Sequence, residues 1–148
     1  MESEVYLIMT KLRFLFIIVL LPYFGFAQNS ILGVWQTIDD ESGEAKSHVE
    51  IYEKNGKIYG KVIKLLPAAT VKICNNCPGE KNGKSLIGMD ILWELRPYKN
   101  YWSYGQIIDP KNGKIYSGSV WLEGDQLKLR GYIGISLIGR TQIWHRVK

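Results

Sequence analysis

Residues 49–62 read VEIYEKNGKIYGKV, and this stretch decides the fold class. Asn55-Gly56 between two alternating runs is the strongest short hairpin signal, because both central positions of a type I′ turn take positive φ. Pairing outward from the turn sets Glu53 opposite Ile58, Tyr52 opposite Tyr59, Ile51 opposite Gly60, Glu50 opposite Lys61 and Val49 opposite Val62. Period-2 alternation separates an apolar, inward face of Val49, Ile51, Ile58 and Val62 from an outer face of Glu50, Tyr52, Tyr59 and Lys61. Glu50 and Lys61 are placed for a cross-strand ion pair. His48 falls on the outer face, which argues against a buried catalytic base.

A second hairpin can be registered around Gly124-Asp125. It sets Leu122 opposite Leu127 and Val120 opposite Leu129 on the apolar face, with Trp121 opposite Lys128 and Ser119 opposite Arg130 on the other. Working outward from these two hairpins, short alternating runs bounded by Gly, Asn, Asp and Pro recur, and no segment after Gln28 keeps a helical period. Strands are expected near residues 32–38, 46–54, 57–66, 88–96, 101–109, 114–122, 126–131 and 140–147. Eight short strands predict an all-β domain, a single antiparallel up-and-down barrel, with a sandwich as the competing arrangement. The 46% hydrophobic and 22% charged composition excludes disorder and a polytopic membrane protein.

The chain starts differently. Lys11 and Arg13 precede an apolar run over residues 14–26, and Gly25 and Ala27 put small residues at a signal-peptidase site before Gln28. At 13 residues including Pro22, that run is shorter than the roughly 20 needed to span a bilayer. Residues 1–27 therefore read as a signal peptide and 28–148 as the barrel domain. Glu2 and Glu4 suit a signal poorly, which points to Met9 as the true start. The residue directly after the cleavage site is Gln28 and not Cys, so a periplasmic or secreted product without a lipid anchor is expected. Removal of residues 1–27 takes two cations and two acids from totals of 19 and 14, leaving 17 minus 12, again +5. The cations are scattered, which fits a solvated surface, and nucleic acid is not an expected partner of an exported chain.

Gly33-Val34-Trp35 in the first strand, with Arg140 and Arg146 in the last, resembles the lipocalin and calycin superfamily. In that superfamily such a Trp plugs the closed barrel end and an Arg stacks across it. Further segments occur in order: Ile58-Tyr59-Gly60-Lys61, Cys74-Asn75-Asn76-Cys77-Pro78-Gly79, Ile87-Gly88-Met89-Asp90, Gly105-Gln106-Ile107-Ile108-Asp109-Pro110 and Leu137-Ile138-Gly139-Arg140-Thr141-Gln142-Ile143-Trp144. Together they are similar to an exported bacterial family known as domain of unknown function 2147. The resemblance implies a signal peptide and a lipocalin-like barrel with Trp35, Arg140 and Arg146 as plug residues; it brings no catalytic residues.

The residues offer little chemistry. Cys74 and Cys77, three positions apart in an exported chain, most simply form a disulfide that tightens a loop. A redox role needs a helix start within a βαβ unit, absent from the pattern, and zinc would have to recruit His48 and His145 without useful spacing. Asp39, Asp40, Glu41 and Glu44 read as a solvated turn. Asp90 and Glu94 alternate with Met89, Ile91, Trp93 and Leu95. The stretch from 131 to 139 is a Gly-rich apolar loop whose Ile133, Leu137 and Ile138 are expected to pack over a barrel end.

The expected function is a non-catalytic binding module for a small apolar or amphipathic ligand, with no cofactor and no metal. Its candidate ligand-binding residues are Met89, Trp93, Tyr132, Ile133 and Leu137. The alternative is a barrel filled by side chains whose outer Tyr52, Tyr59 and Trp121 meet another envelope component, since an eight-stranded barrel can be filled in that way. If Trp35 closes one end, the mouth lies at the other, among residues 39–44, 74–84, 110–113 and 131–139.

Overall fold

A computed structural model describes residues 30–148; the signal-peptide reading of residues 1–27 lies outside them. Eight strands, β1 (Gly33–Ile38), β2 (Ala45–Lys54), β3 (Lys57–Leu65), β4 (Asp90–Tyr98), β5 (Tyr101–Asp109), β6 (Lys114–Glu123), β7 (Gln126–Tyr132) and β8 (Gly139–Arg146), follow one another around the wall. Each pairs antiparallel with its sequence neighbours, and β8 returns to β1, so the barrel is closed. Closure leaves no open edge. The competing sandwich is thereby excluded, and the expected up-and-down order holds throughout.

The β2–β3 register is the one that Asn55-Gly56 dictates, from Glu53↔Ile58 to Val49↔Val62. Asn55 and Gly56 have φ of 53° and 71°, as a type I′ turn requires. Val49, Ile51, Ile58 and Val62 all lie in the core. On the outer face Tyr52 and Tyr59 stack at 5.6 Å, and Lys61 Nζ lies 5.0 Å over the Tyr52 ring. Lys61 thus covers the ring, and no ion pair forms with Glu50. The β6–β7 register also matches, with Val120↔Leu129 and Leu122↔Leu127. Ser119, expected to face out, is instead buried, its Oγ 2.8 Å from Ser103 Oγ beside an irregularity in β5.

β4 departs most from its sequence pattern. Leu95 pairs with Ile58, Leu92 with Gly60 and Asp90 with Lys61, so β4 spends three residues where β3 spends two and then two where β3 spends one. Each extra residue is a bulge that reverses the alternation. Glu94 and Tyr104, on adjacent strands, both take a φ of 58° at this place. In consequence Leu92 and Leu95 reach the core, whereas Trp93 turns outward and its Nε1 donates to Gln106 Oε1 at 2.9 Å.

Candidate functional site

Two strands connect the ends of the barrel, and their inner faces can be followed residue by residue. On β1 the inward positions are Trp35, Thr37 and, just beyond the strand, Asp39, all buried. On β8 they are Arg146, Trp144, Gln142 and Arg140. Because the side-chain period is two, both arginines share one face, but six residues at roughly 3.3 Å per residue put them about 20 Å apart along the strand. One arginine closes the barrel and the other reaches the opposite opening.

At the closed end Trp35 is fully buried and the Arg146 guanidinium carbon lies 4.1 Å from its ring centroid. Arg146 Nη1 donates to Leu32 O at 3.0 Å, and Trp35 Nε1 donates to Ile31 O at 2.8 Å. The stack therefore also ties down the segment before β1. Gly33 fits the motif for two reasons: its φ is 120°, and a Cβ there would stand 3.0 Å from Arg146 Nη1. Arg140 takes no part in this stack.

At the other end a cavity of about 460 Å³ opens. Its walls are apolar, built from Val62, Leu86, Ile91, Ile107, Leu129 and Trp144 among others. Around the rim stand Asp39, Asp40, Glu41 and Asp109 against Lys46, Lys111 and Arg140, four acids to three cations. These charges are wired together. Lys111 Nζ lies 2.6 Å from Asp39 Oδ2 and 3.4 Å from Glu41 Oε2. Arg140 Nε pairs with Asp40 Oδ2, Arg140 Nη2 lies 3.6 Å from Glu41 Oε1, and Gln142 Nε2 donates to Asp40 Oδ1 at 3.3 Å. The β1–β2 loop thus bridges the β5–β6 turn and β8.

Asp39 also accepts from the Ser42 backbone N–H at 2.8 Å. Its hydrogen bond from Lys111, helped by that backbone donor, holds its carboxyl well below the usual carboxylate range, and Lys111 is raised in return. This corrects the solvated-turn expectation: Asp39 is buried and forms the base of an ion-pair network. The neighbouring Cys74 and Cys77 are disulfide-bonded and both buried. Their loop sits on the β5–β6 turn, where any Cβ at Gly113 would overlap the Asn76 carbonyl.

None of the five residues expected to contact ligand lines this cavity. Met89 is buried in the core at the foot of β4, and Trp93 is half-buried away from the cavity, with Lys81 Nζ 5.0 Å from its ring centroid. Tyr132 lines a separate polar cleft on the outer wall with Glu94, Tyr104 and Gln106. Ile133 and Leu137 are exposed to solvent, so the β7–β8 loop does not pack over the barrel end. The walls come instead from Ile107, Leu129 and Trp144, which the alternation of β5, β7 and β8 could have indicated. Among the described residues no cluster of side chains could hold a metal ion.

An eight-stranded closed barrel with a Trp–Arg plug at one end and an apolar cavity open at the other is a lipocalin-like barrel. It resembles the solved structure of protein HP1028 from the human pathogen Helicobacter pylori, described as belonging to the lipocalin family, with a TM-score of 0.69 and 24% identity over 80% of this chain and 84% of that one. The chain belongs to the family described as "uncharacterized protein conserved in bacteria (DUF2147)", whose model matches residues 33–146. No curated protein matches the chain.

Proposed function

We propose that this protein is an exported, non-catalytic module that holds one small apolar or amphipathic molecule inside its barrel. The observation that carries the reading is the cavity of about 460 Å³ with apolar walls and a polar rim. That size lies within the range of roughly 300–1,000 Å³ typical of small-molecule pockets. It also favours a hollow barrel over one filled by side chains. The rim refines the ligand class: Lys46 is matched by Glu44, and Lys111 and Arg140 by Asp39, Asp40 and Glu41, so a carboxylate or phosphate head would meet no free cation there. A neutral or cationic head suits it better. Export is supported by Lys11, Arg13, the apolar run and Gly25/Ala27, with release before Gln28.

Fluorescence titration with the neutral apolar dye N-phenyl-1-naphthylamine tests the cavity. Saturable enhancement is expected in wild type and loss of it in Leu129→Trp, which fills the cavity. Dodecyltrimethylammonium should displace the dye at lower concentration than dodecanoate. Absence of saturable binding in wild type, or binding unchanged by the filling variant, overturns the reading. Peptide mass spectrometry of the exported protein should find Gln28, free or as pyroglutamate, at its N-terminus; a product retaining Met1 or Met9 would rule out cleavage.

A further inference from the structure

Residues 133–138, between β7 and β8, present Ile133, Ile135, Leu137 and Ile138 at 66, 59, 85 and 74% exposure. Four large aliphatics on one six-residue loop form an apolar tip of the kind that marks an interaction surface. From this loop we infer a docking site for an anionic lipid bilayer, with the aliphatic tip entering the interface.

Two features of the loop and one of the whole chain favour lipid over water or a protein groove. First, three carbonyls of the tip and one N–H find partners within the loop and its base. Ile138 N–H donates to Ile135 O at 3.2 Å, while Arg130 Nε and Nη2 donate to Ser136 O at 2.7 Å and Leu137 O at 3.2 Å. A loop tip can enter an apolar medium only if such carbonyls keep their partners, because an unsatisfied group there is costly. Second, the cation that satisfies them is itself uncompensated. Arg130 Nη1 donates to Thr141 Oγ1 at 2.8 Å, and among the described residues no carboxylate pairs with Arg130. A guanidinium at the base of an aliphatic tip sits where lipid phosphates would lie, with its stem toward the apolar side. Third, the chain as a whole carries a net charge of +5, a long-range attraction to an anionic surface, while the orientation comes from Arg130 and the aliphatic tip. The loop also springs from the open end of the barrel, since Gly131 and Arg140 at its two feet line the cavity.

The test uses the full chain carrying Leu137→Cys labelled with an environment-sensitive nitrobenzoxadiazole dye, and a control labelled at Asp125→Cys in the β6–β7 turn of the opposite end. Vesicles of phosphatidylcholine with one-third phosphatidylglycerol should raise and blue-shift emission at position 137 severalfold. Quenching by lipids spin-labelled in the acyl region should follow, with neither response at 125. The signal should fall in pure phosphatidylcholine and at high salt. Adding Ile133→Asp and Ile138→Asp should abolish it while leaving the melting temperature unchanged, because both side chains are exposed. The apolar run at residues 14–26 is common to all variants and leads into β1 at the plug end, so recruitment through it would favour position 125 over 137. Equal responses at the two positions, no response at 137, or a response surviving both Asp substitutions would overturn the proposal. So would a self-association, seen on size exclusion without vesicles, that the Asp substitutions remove: the tip would then be covered by a second copy of this chain.

Discussion

At one end of the barrel the inner faces of β1 and β8 finish on Trp35 and Arg146; at the other they finish on Asp39 and Arg140. The same two strands thus build a plug and a mouth. At the plug one cation covers one buried indole and hydrogen-bonds backbone carbonyls, an arrangement that keeps the indole out of water. At the mouth the charges are paired with one another across loops, so they stay in water at the rim while the walls behind them remain apolar. The difference teaches that a cation in this barrel is read by its height along the strand: the β8 face carries arginines at both ends, and only the depth of the neighbouring side chain separates a structural role from one at a binding rim.

That contrast can be broken most severely at the plug. Trp35→Ala should cost about 3–5 kcal/mol as a large core truncation, read by chemical denaturation. An unchanged midpoint would show that the indole does not support the closed end. Arg146→Ala should cost less, about 1–2 kcal/mol, from the lost cation–π contact and carbonyl bonds.

At the mouth, effects on stability should be smaller than that of Trp35→Ala. Reducing the Cys74–Cys77 bridge should lower stability by at most about 2 kcal/mol, the chain-entropy value for so short a ring, and leave dye binding intact. Loss of binding on reduction would make the Cys loop part of the cavity wall rather than its surround.

Asp39→Asn should cost about 1–2 kcal/mol at neutral pH, since it removes a charge-assisted hydrogen bond from Lys111 but keeps an oxygen for Ser42. Because the folded carboxyl is held below its ordinary value of about 3.9, its contribution is complete above that value and fades as pH falls below it. The stability gap between wild type and Asp39→Asn should therefore be constant from pH 5 to 7 and shrink only in strong acid. A gap that closes already near pH 5 would mean that the carboxyl is not held by Lys111.

The smallest stability change, within about 0.5 kcal/mol, is expected for Asp40→Asn, whose partner Arg140 is exposed and whose ion pair is screened. Its effect should appear in selectivity: freeing Arg140 should improve dodecanoate relative to dodecyltrimethylammonium in dye displacement. Unaltered selectivity would remove Arg140 from the rim's role.

Some of this was determined by sequence alone, wherever a local rule was sufficient. Asn55-Gly56 fixed the β2–β3 register because positive φ at two successive residues leaves few alternatives, and alternation then chose the core face of both strands. Gly33 and Trp35 were legible through the resemblance to the lipocalin superfamily, which left Arg140 and Arg146 both as candidate partners of the indole. The end of the barrel at which the mouth opens followed from up-and-down connectivity. What the tertiary structure decided was the placement of residues after an irregularity. Trp93 could not be read as outward, because two bulges in β4 reverse the period and a bulge is specified by the neighbouring strand as much as by its own residues. Asp39 looked like part of a solvated acidic turn, because its burial comes from Lys111, 72 positions away in the chain. Arg140 was separable from Arg146 only by height in the barrel, a quantity that period-2 patterning does not carry. Ile133 and Leu137 looked like packing residues because hydrophobicity is local, whereas exposure depends on whether a surface exists for them to cover.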